Sequence, residues 1–209
     1  MERRSIAFSP PDITELEIQE VAEALRSGWI TTGPRTKQLE KNLAEYCHTN
    51  KVVCLNSATA AEELNLRVLG IGEGDEVLVP DPSYPSNYLN CKLLGAKAVH
   101  VPTWYDDNYR IHIDELEKRV TKNTKMVLLT HPNNPTTVVY RKDNLEELAE
   151  FIVRHDLILV CDQAFEDHIF DGIEFVSPCT LPGMWERTVT VCSLSKGYGL
   201  SGYRMAYLY

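Results

Sequence analysis

The sequence predicts an α/β fold built on a mostly parallel sheet. Two observations carry that expectation. Short apolar runs of strand length recur at Val52–Leu55, Glu76–Val79, Ala98–Val101, Met126–Thr130, Leu157–Cys161, Thr188–Cys192 and Arg204–Tyr209. Between most of them lie stretches with apolar residues at helical spacing. Strands that alternate with helices imply βαβ units, and hence parallel strands joined by helical crossovers.

The chain begins differently. Asp12 to Ser27 carries Ile13, Leu16, Val21, Ala24 and Leu25 on roughly one stripe and stops at Gly28, which predicts an amphipathic helix. A loop, Gly28-Trp29-Ile30-Thr31-Thr32-Gly33-Pro34, leads into a second helix from about Thr36 to Tyr46. The crossover helices are expected at Ala60–Leu69, Ser86–Leu94, Ile113–Val120 and Lys142–Arg154, the last with Leu145, Leu148 and Ile152 on one face. Residues 1–48 thus read as a helical segment and residues 49–209 as the sheet domain. No internal repeat, low-complexity tract or charge run marks a linker.

A length of 209 residues suffices for one sizeable core. The formal charge of −9 and a pI near 5.2 argue against nucleic acid or an anionic membrane surface as the main partner. No window has the apolar length of a membrane helix. The start, MERRSIAFSPPD, lacks the apolar core of a secretory signal, so a cytoplasmic protein is expected. Six cysteines (Cys47, Cys54, Cys91, Cys161, Cys179 and Cys192) form no C-x-x-C pair, and three lie in strand-like runs. They read as buried reduced thiols, and no metal site is expected.

Ligands of open α/β sheets bind beyond the carboxyl ends of the strands. Asn56-Ser57-Ala58-Thr59 follows the first run, and His131-Pro132-Asn133-Asn134-Pro135-Thr136 follows the fourth. Asp162-Gln163 follows the fifth, and Ser193-Leu194-Ser195-Lys196 the sixth. A parallel sheet brings a hydroxyl loop, an amide, a carboxylate and a lysine to one crevice. Taken singly, Ser-Ala-Thr before a helix is ordinarily an N-cap, Asn-Asn-Pro a turn, and a lysine a solvated charge. Together they match the parts of pyridoxal 5'-phosphate. Ser57, Ala58 and Thr59, with Ser193 and Arg204, suit the phosphate. Asp162 suits the pyridine nitrogen, Asn134 the ring hydroxyl, Tyr84 the ring face, and Lys196 a Schiff base followed by proton transfer. No strand is followed by G-x-G-x-x-G, which sets a dinucleotide-binding reading aside.

From about Val79 to Tyr209 the chain resembles the class I/II aminotransferases, through PDPSYPSNY, HPNNPT, VCDQAFEDHIFDG and above all SLSKGYGLSGYRMAY. From about Ile6 to Val79 it resembles the DegT/StrS-type sugar aminotransferases, through FSPPDITELEIQEVAEALRSGWITTGP and LNSATAAEELNLRVLGIGEGDEV. Both families share the aspartate-aminotransferase fold, fold type I. The resemblance implies a three-layer α/β/α large domain with seven strands, the last antiparallel. It implies Lys196 and Asp162 as catalytic residues and Ser57, Ala58, Thr59, Tyr84, Asn134, Ser193 and Arg204 as cofactor contacts. A small-molecule amino donor, a keto-acid or keto-sugar acceptor and a homodimer follow from it as well.

Departures from the pattern accompany the resemblance. The two halves meet near residues 72–82, which natural recombination, an engineered chimera or a sequence error would each explain. Phe165 stands where many class I members have tyrosine, and Thr137 where glycine is usual. A C-terminal domain is expected after Tyr209 in both families and would complete the substrate grip. The leading expectation is an aminotransferase. A lyase or decarboxylase on the same fold, or a truncated non-catalytic cofactor-binding fragment, are the alternatives.

Overall fold

The computed structural model describes residues 10–209, so the first nine residues of the N-terminal segment lie outside the described residues. Seven strands form one sheet: β1 (Val53–Leu55), β2 (Glu76–Asp81), β3 (Lys97–Pro102), β4 (Thr124–Thr130), β5 (Ile158–Asp162), β6 (Thr188–Ser193) and β7 (Ala206–Leu208), in the order β1-β7-β6-β5-β4-β2-β3. The strands from β3 across to β6 are mutually parallel. Strand β7 runs against both its neighbours, so β1 points the same way as β6 and the sheet has six parallel strands and one reversed.

The helices are α1 (Glu15–Arg26), α2 (Pro34–Tyr46), α3 (Ala58–Val68), α4 (Pro85–Leu93), α5 (Ile113–Glu117) and α6 (Lys142–Arg154). Each lies where the apolar spacing put it. Their starts move by a few residues for local reasons. Helix α2 begins at Pro34 rather than Thr36, because proline has no N–H to leave unpaired in the first turn. Helix α3 begins at Ala58, since Ser57 is its cap: the Ser57 hydroxyl accepts the Ala60 N–H at 3.1 Å. Helix α1 opens with a capping box in which Thr14 and Glu17 satisfy each other's neighbouring donors.

The sheet separates two cores. On one face Leu78, Val127, Leu129 and Leu159 pack against Leu145, Leu148, Phe151 and Ile152 of α6 and against Leu116 of α5. On the other, Val77, Val79, Met126, Leu128, Val160 and Val191 pack beneath Ala61 and Leu66 of α3 and Cys91 of α4. Alternate residues of β2 and β4 therefore serve opposite faces, and both faces are covered, as a parallel sheet requires. All six cysteines are free thiols.

The first two helices bury no residue, and α1 is the more exposed of them. In α1, Leu16, Ile18, Val21 and Leu25 are exposed. Its link to the rest of the chain runs through Arg35 of α2, which pairs with Glu20 and Glu23. Between the two helices Trp29 folds back, its indole N–H donating to the Thr32 carbonyl at 3.1 Å, and its ring fills the space a Gly33 side chain would take. Glycine is required there by close approach.

The loop after β4 stores backbone strain. Thr137 sits at φ +63°, a left-handed conformation that L-residues with branched side chains disfavour. The turn is held by Thr137 N–H donating to Asn133 O at 2.9 Å and Asn133 N–H to Val138 O at 2.8 Å. The side chain is exposed. Glycine relieves roughly 1–2 kcal/mol of this strain and gives back about 0.5–1 kcal/mol through its freer unfolded chain. Thr137→Gly is therefore expected to stabilise the fold by about 0.5–1 kcal/mol in urea unfolding, and an unchanged or lowered midpoint would contradict this account.

Candidate active site

The carboxyl ends of β1, β4, β5 and β6 open onto one cavity of about 200 Å³, lined by Ser57, Ala58, Thr59, Tyr84, Asn134, Asp162, Ser193, Lys196 and Arg204 together with Glu62, Ala164, Phe165, Ser195 and Ser201. Every residue singled out from the sequence is in that lining. The structure brings together residues spread over 148 positions, from Ser57 to Arg204.

Asp162 closes β5 and forms the floor. It is buried, and its Oδ1 accepts the Ala164 N–H at 3.0 Å. Burial pushes its carboxyl up to about 6, while the Ala164 N–H, a hydrogen bond with Glu62 and the charge of Lys196 act in the opposite direction. Lys196 stands at the mouth, exposed, with its Nζ 5.4 Å from the centre of the Phe165 ring, a cation–π distance. Gly197, next to it, lies so close to the Asp167 carboxylate that any side chain there would collide with it.

Ser57, Ala58 and Thr59 form the first turn of α3, whose leading backbone N–H groups have no helical partner. The Ser57 hydroxyl caps the helix by accepting the Ala60 N–H and makes a long donation, 3.4 Å, to Asn56 Oδ1. Arg204 has a left-handed backbone at φ +58°, which turns the chain sharply into β7 beneath the cavity. Its Nη1 donates to the Ser201 carbonyl at 2.8 Å. Ser193 ends β6, and its hydroxyl accepts the Ser195 N–H at 3.2 Å.

Tyr84 and Asn134 are placed by a shared network. Asn133, beside Asn134 in sequence, is buried and donates to Pro82 O at 3.0 Å and to Thr136 Oγ1 at 2.7 Å, tying the loop after β4 to the loop after β2. Asn87 of α4 is buried as well and donates to Ser83 Oγ at 2.8 Å and to Thr130 Oγ1 at 3.0 Å. The two asparagines of Asn133-Asn134 thus have separate work: one braces the loops, the other faces the cavity. His131, packed against Phe175 and Tyr140, is held neutral by burial, which lowers it to about 4.

Glu62 is the residue that sequence reasoning missed. It lies on the buried face of α3 with Ala61, Asn65 and Leu66, is 1% exposed, and reaches the cavity beside Asp162. Its only sequence signal is position: it precedes the core residue Leu66 by one helical turn. A second, more apolar cavity of about 360 Å³ adjoins the first across Asn134 and Phe165, with Val139, Phe170 and Ile173 among its walls and His168 and Asp171 at its edge. No cluster of metal-ligating side chains occurs among the described residues. No helix among them is long and apolar enough to cross a membrane.

The fold has close relatives among solved structures. An aromatic aminotransferase from Pyrococcus horikoshii OT3 superposes with a TM-score of 0.86 at 34% identity, covering 96% of this chain and 57% of that one. An aspartate aminotransferase from Thermus thermophilus, solved with maleate, superposes at 0.84 and 28% identity over 96% and 55% of the two chains. The sheet is thus that of the fold type I aminotransferase large domain. Residues 5–209 match the family Aminotransferase class I and II, and the chain belongs to it. That match includes residues 72–82, where the sequence reading placed a change of family. Among curated relatives, an aspartate aminotransferase from Pyrococcus abyssi is 35% identical over 98% of this chain and 56% of its own. Aromatic-amino-acid aminotransferase 2 from Thermococcus litoralis is 35% identical over 98% and 49%. The chain spans about half the length of these relatives.

Burial sets a pH dependence. Asp162 is raised from 3.8 to about 6 and Glu166 from 4.5 to about 7. Between about pH 4 and about pH 7 the folded chain therefore holds protons that the unfolded chain has released. Their contribution to stability is complete below that window and is lost as pH rises through it. His131, lowered to about 4, acts in the opposite direction over part of this window, so the effect is read as a difference between variants. From about pH 4.5 to about pH 7 the stability of Glu166→Gln relative to the parent is expected to rise in urea unfolding, and a constant difference would assign the effect elsewhere.

Proposed function

We propose that this chain is the pyridoxal 5'-phosphate-binding large domain of an aminotransferase, which transfers an amino group between an amino acid and a keto acid. The observation that carries the reading is the meeting of Lys196 and Asp162, from two different strand ends, in one cavity with a helix N-terminus at its side. The family as a whole is pyridoxal-phosphate dependent. The activities for which these relatives are named, on aspartate and on aromatic amino acids, support amino acids over keto-sugars as substrates.

The residues fit the group. At one end of the cavity, free N–H groups, the hydroxyls of Ser57, Thr59 and Ser193 and the Arg204 guanidinium form a set of donors for a phosphate dianion. At the floor, Asp162 offers its carboxylate to a pyridine nitrogen and holds a proton there. Asn134 donates to the ring oxygen, and the Tyr84 ring lies along the cavity wall as a stacking surface. Phe165 offers no hydroxyl, so Asn134 acts at the ring oxygen without help from that position. Lys196 would hold the cofactor through Nζ and, when free, would move a proton at the substrate α-carbon. When bound, the cofactor supplies an electron sink for the bond cleaved at that carbon.

We assign residues 49–209 to this domain and residues 1–48 to a helical segment that joins a second copy in a cytoplasmic homodimer of biosynthetic role. Support for the dimer is the uncovered apolar surface of that segment, with Leu16 70%, Ile30 74% and Trp29 57% exposed. Patches of this kind on soluble chains mark association sites.

Two measurements test the proposal. Incubation with pyridoxal 5'-phosphate followed by borohydride is expected to fix the cofactor to the peptide containing Lys196, and Lys196→Ala is expected to abolish the label. Label on another lysine, or none, would overturn the site. Sedimentation is expected to show a dimer that Leu16→Glu weakens at least tenfold, whereas a monomer at all concentrations would remove the assembly from the proposal.

A further inference from the structure

Two carboxyl side chains meet at the floor of the cavity, and only one was anticipated. Glu62 on α3 and Asp162 at the end of β5 are 1% and 4% exposed and line the same cavity, where the charge of one acts on the other. Two carboxylates side by side in one cavity and away from water cannot both be ionised, so the pair keeps one proton. The surroundings decide where it sits. Asp162 accepts the Ala164 N–H and lies in the field of Lys196, both of which favour its charged form. Glu62 receives a single donor, the Asn90 side-chain N–H at 3.0 Å on Oε2, and has no cation beside it. Burial and the Asp162 charge push Glu62 well above the usual carboxylate range. The thiol of Cys91, in the core on the α3 side of the sheet, is kept protonated and neutral by burial, and Cys161 belongs to the core on the opposite face. The proton resides on Glu62.

We infer that Glu62 is a positioning residue for Asp162: held by Asn90, its protonated carboxyl donates a hydrogen bond to Asp162 and keeps that side chain ionised and oriented in the cavity. The inference rests on the proposed cofactor reading for its purpose and on the unliganded chain for its geometry. A hydrogen bond to the charged form lowers the proton affinity of an acid. Glu62 thus counteracts the burial of Asp162, which by itself would leave the carboxyl neutral and unable to pair as an anion with a protonated ring nitrogen. Any proton passed to Asp162 joins the one already on Glu62, so the floor of the cavity carries either one proton or two.

The test begins with the cofactor-free chain. Side-chain carboxyl carbons of Asp and Glu are followed by NMR from pH 4 to pH 9 in the parent, Glu62→Gln and Glu62→Leu, with Asp162→Asn to assign the Asp162 signal. The amide of glutamine can still donate to Asp162, and leucine cannot. Asp162 is expected to titrate in Glu62→Gln near its parent midpoint, whereas in Glu62→Leu it binds its proton about tenfold more tightly, the equivalent of one lost charge-assisted hydrogen bond. Equal Asp162 midpoints in Glu62→Leu and the parent would overturn the inference, as would a Glu62 signal that titrates as an ordinary exposed glutamate. Circular dichroism of each variant guards against misfolding. Should Glu62→Leu not fold, the parent Glu62 midpoint decides alone.

Cofactor binding is measured separately. At pH 6, near the Asp162 midpoint, affinity for pyridoxal 5'-phosphate is expected to fall about fivefold in Glu62→Leu and to be restored in Glu62→Gln. A parent chain that binds no cofactor would defeat the proposed function while leaving the carboxyl pair to the NMR result. A parent that binds cofactor with identical affinity and pH dependence in Glu62→Leu would defeat the inference alone.

Discussion

Parallel strands cannot be joined by a tight turn, so each must be followed by a crossover that carries the chain back to the start of the next. The rest of this molecule depends on that constraint. Helices α3, α4, α5 and α6 lie in the crossovers, and they fall on the two faces of the sheet because both faces of parallel strands need cover. Once the strands point one way, their carboxyl ends share an edge, and whatever polar residues follow them share a crevice. Ser57, Asn134, Asp162 and Lys196 are neighbours for this reason.

A crevice of that kind is costly to build, since it places polar groups at the ends of buried strands. The structure meets the cost with hydrogen bonds from residues that never face the cavity. Asn133 and Asn87 tie the loops after β2 and β4 together. Asn90 restrains Glu62. Rigidity in the crevice thus comes from side-chain amides lying behind the residues that line it, as pre-organised sites in general require.

The sequence made the sheet and the lining readable, and the rest for the most part not, for physical reasons. Apolar runs and helical stripes identify strands and helices because burial on defined faces requires that spacing, and all seven strands and six helices lie within a few residues of their expected places. The cavity residues were readable because strand ends converge. Two features were hidden. Glu62 looks like any surface glutamate until α3 is docked, since a charged residue on a helix carries no mark of the face it will occupy. The stripe of α1 looked like a core-facing surface, yet nothing in the described chain covers it. Periodicity announces that a face is apolar and says nothing of what meets it.

The reversed strand has a bearing on synthesis. Strand β1 has one neighbour in the sheet, β7, and the register joins Val53 to Leu208 and Leu55 to Ala206. A ribosome releases β1 long before β7, so the first strand made must wait for the last before it can enter the sheet. During that interval β2 to β6 can assemble among themselves, while β1, together with the helices before it, remains outside the growing structure with apolar residues exposed. Contacts so far apart in sequence form slowly, and a nascent chain with unpaired strands and uncovered apolar surface is a natural client for chaperones. The insertion of three residues, Ala206 to Leu208, between β1 and β6 is the event that draws the N-terminal segment in and closes the sheet.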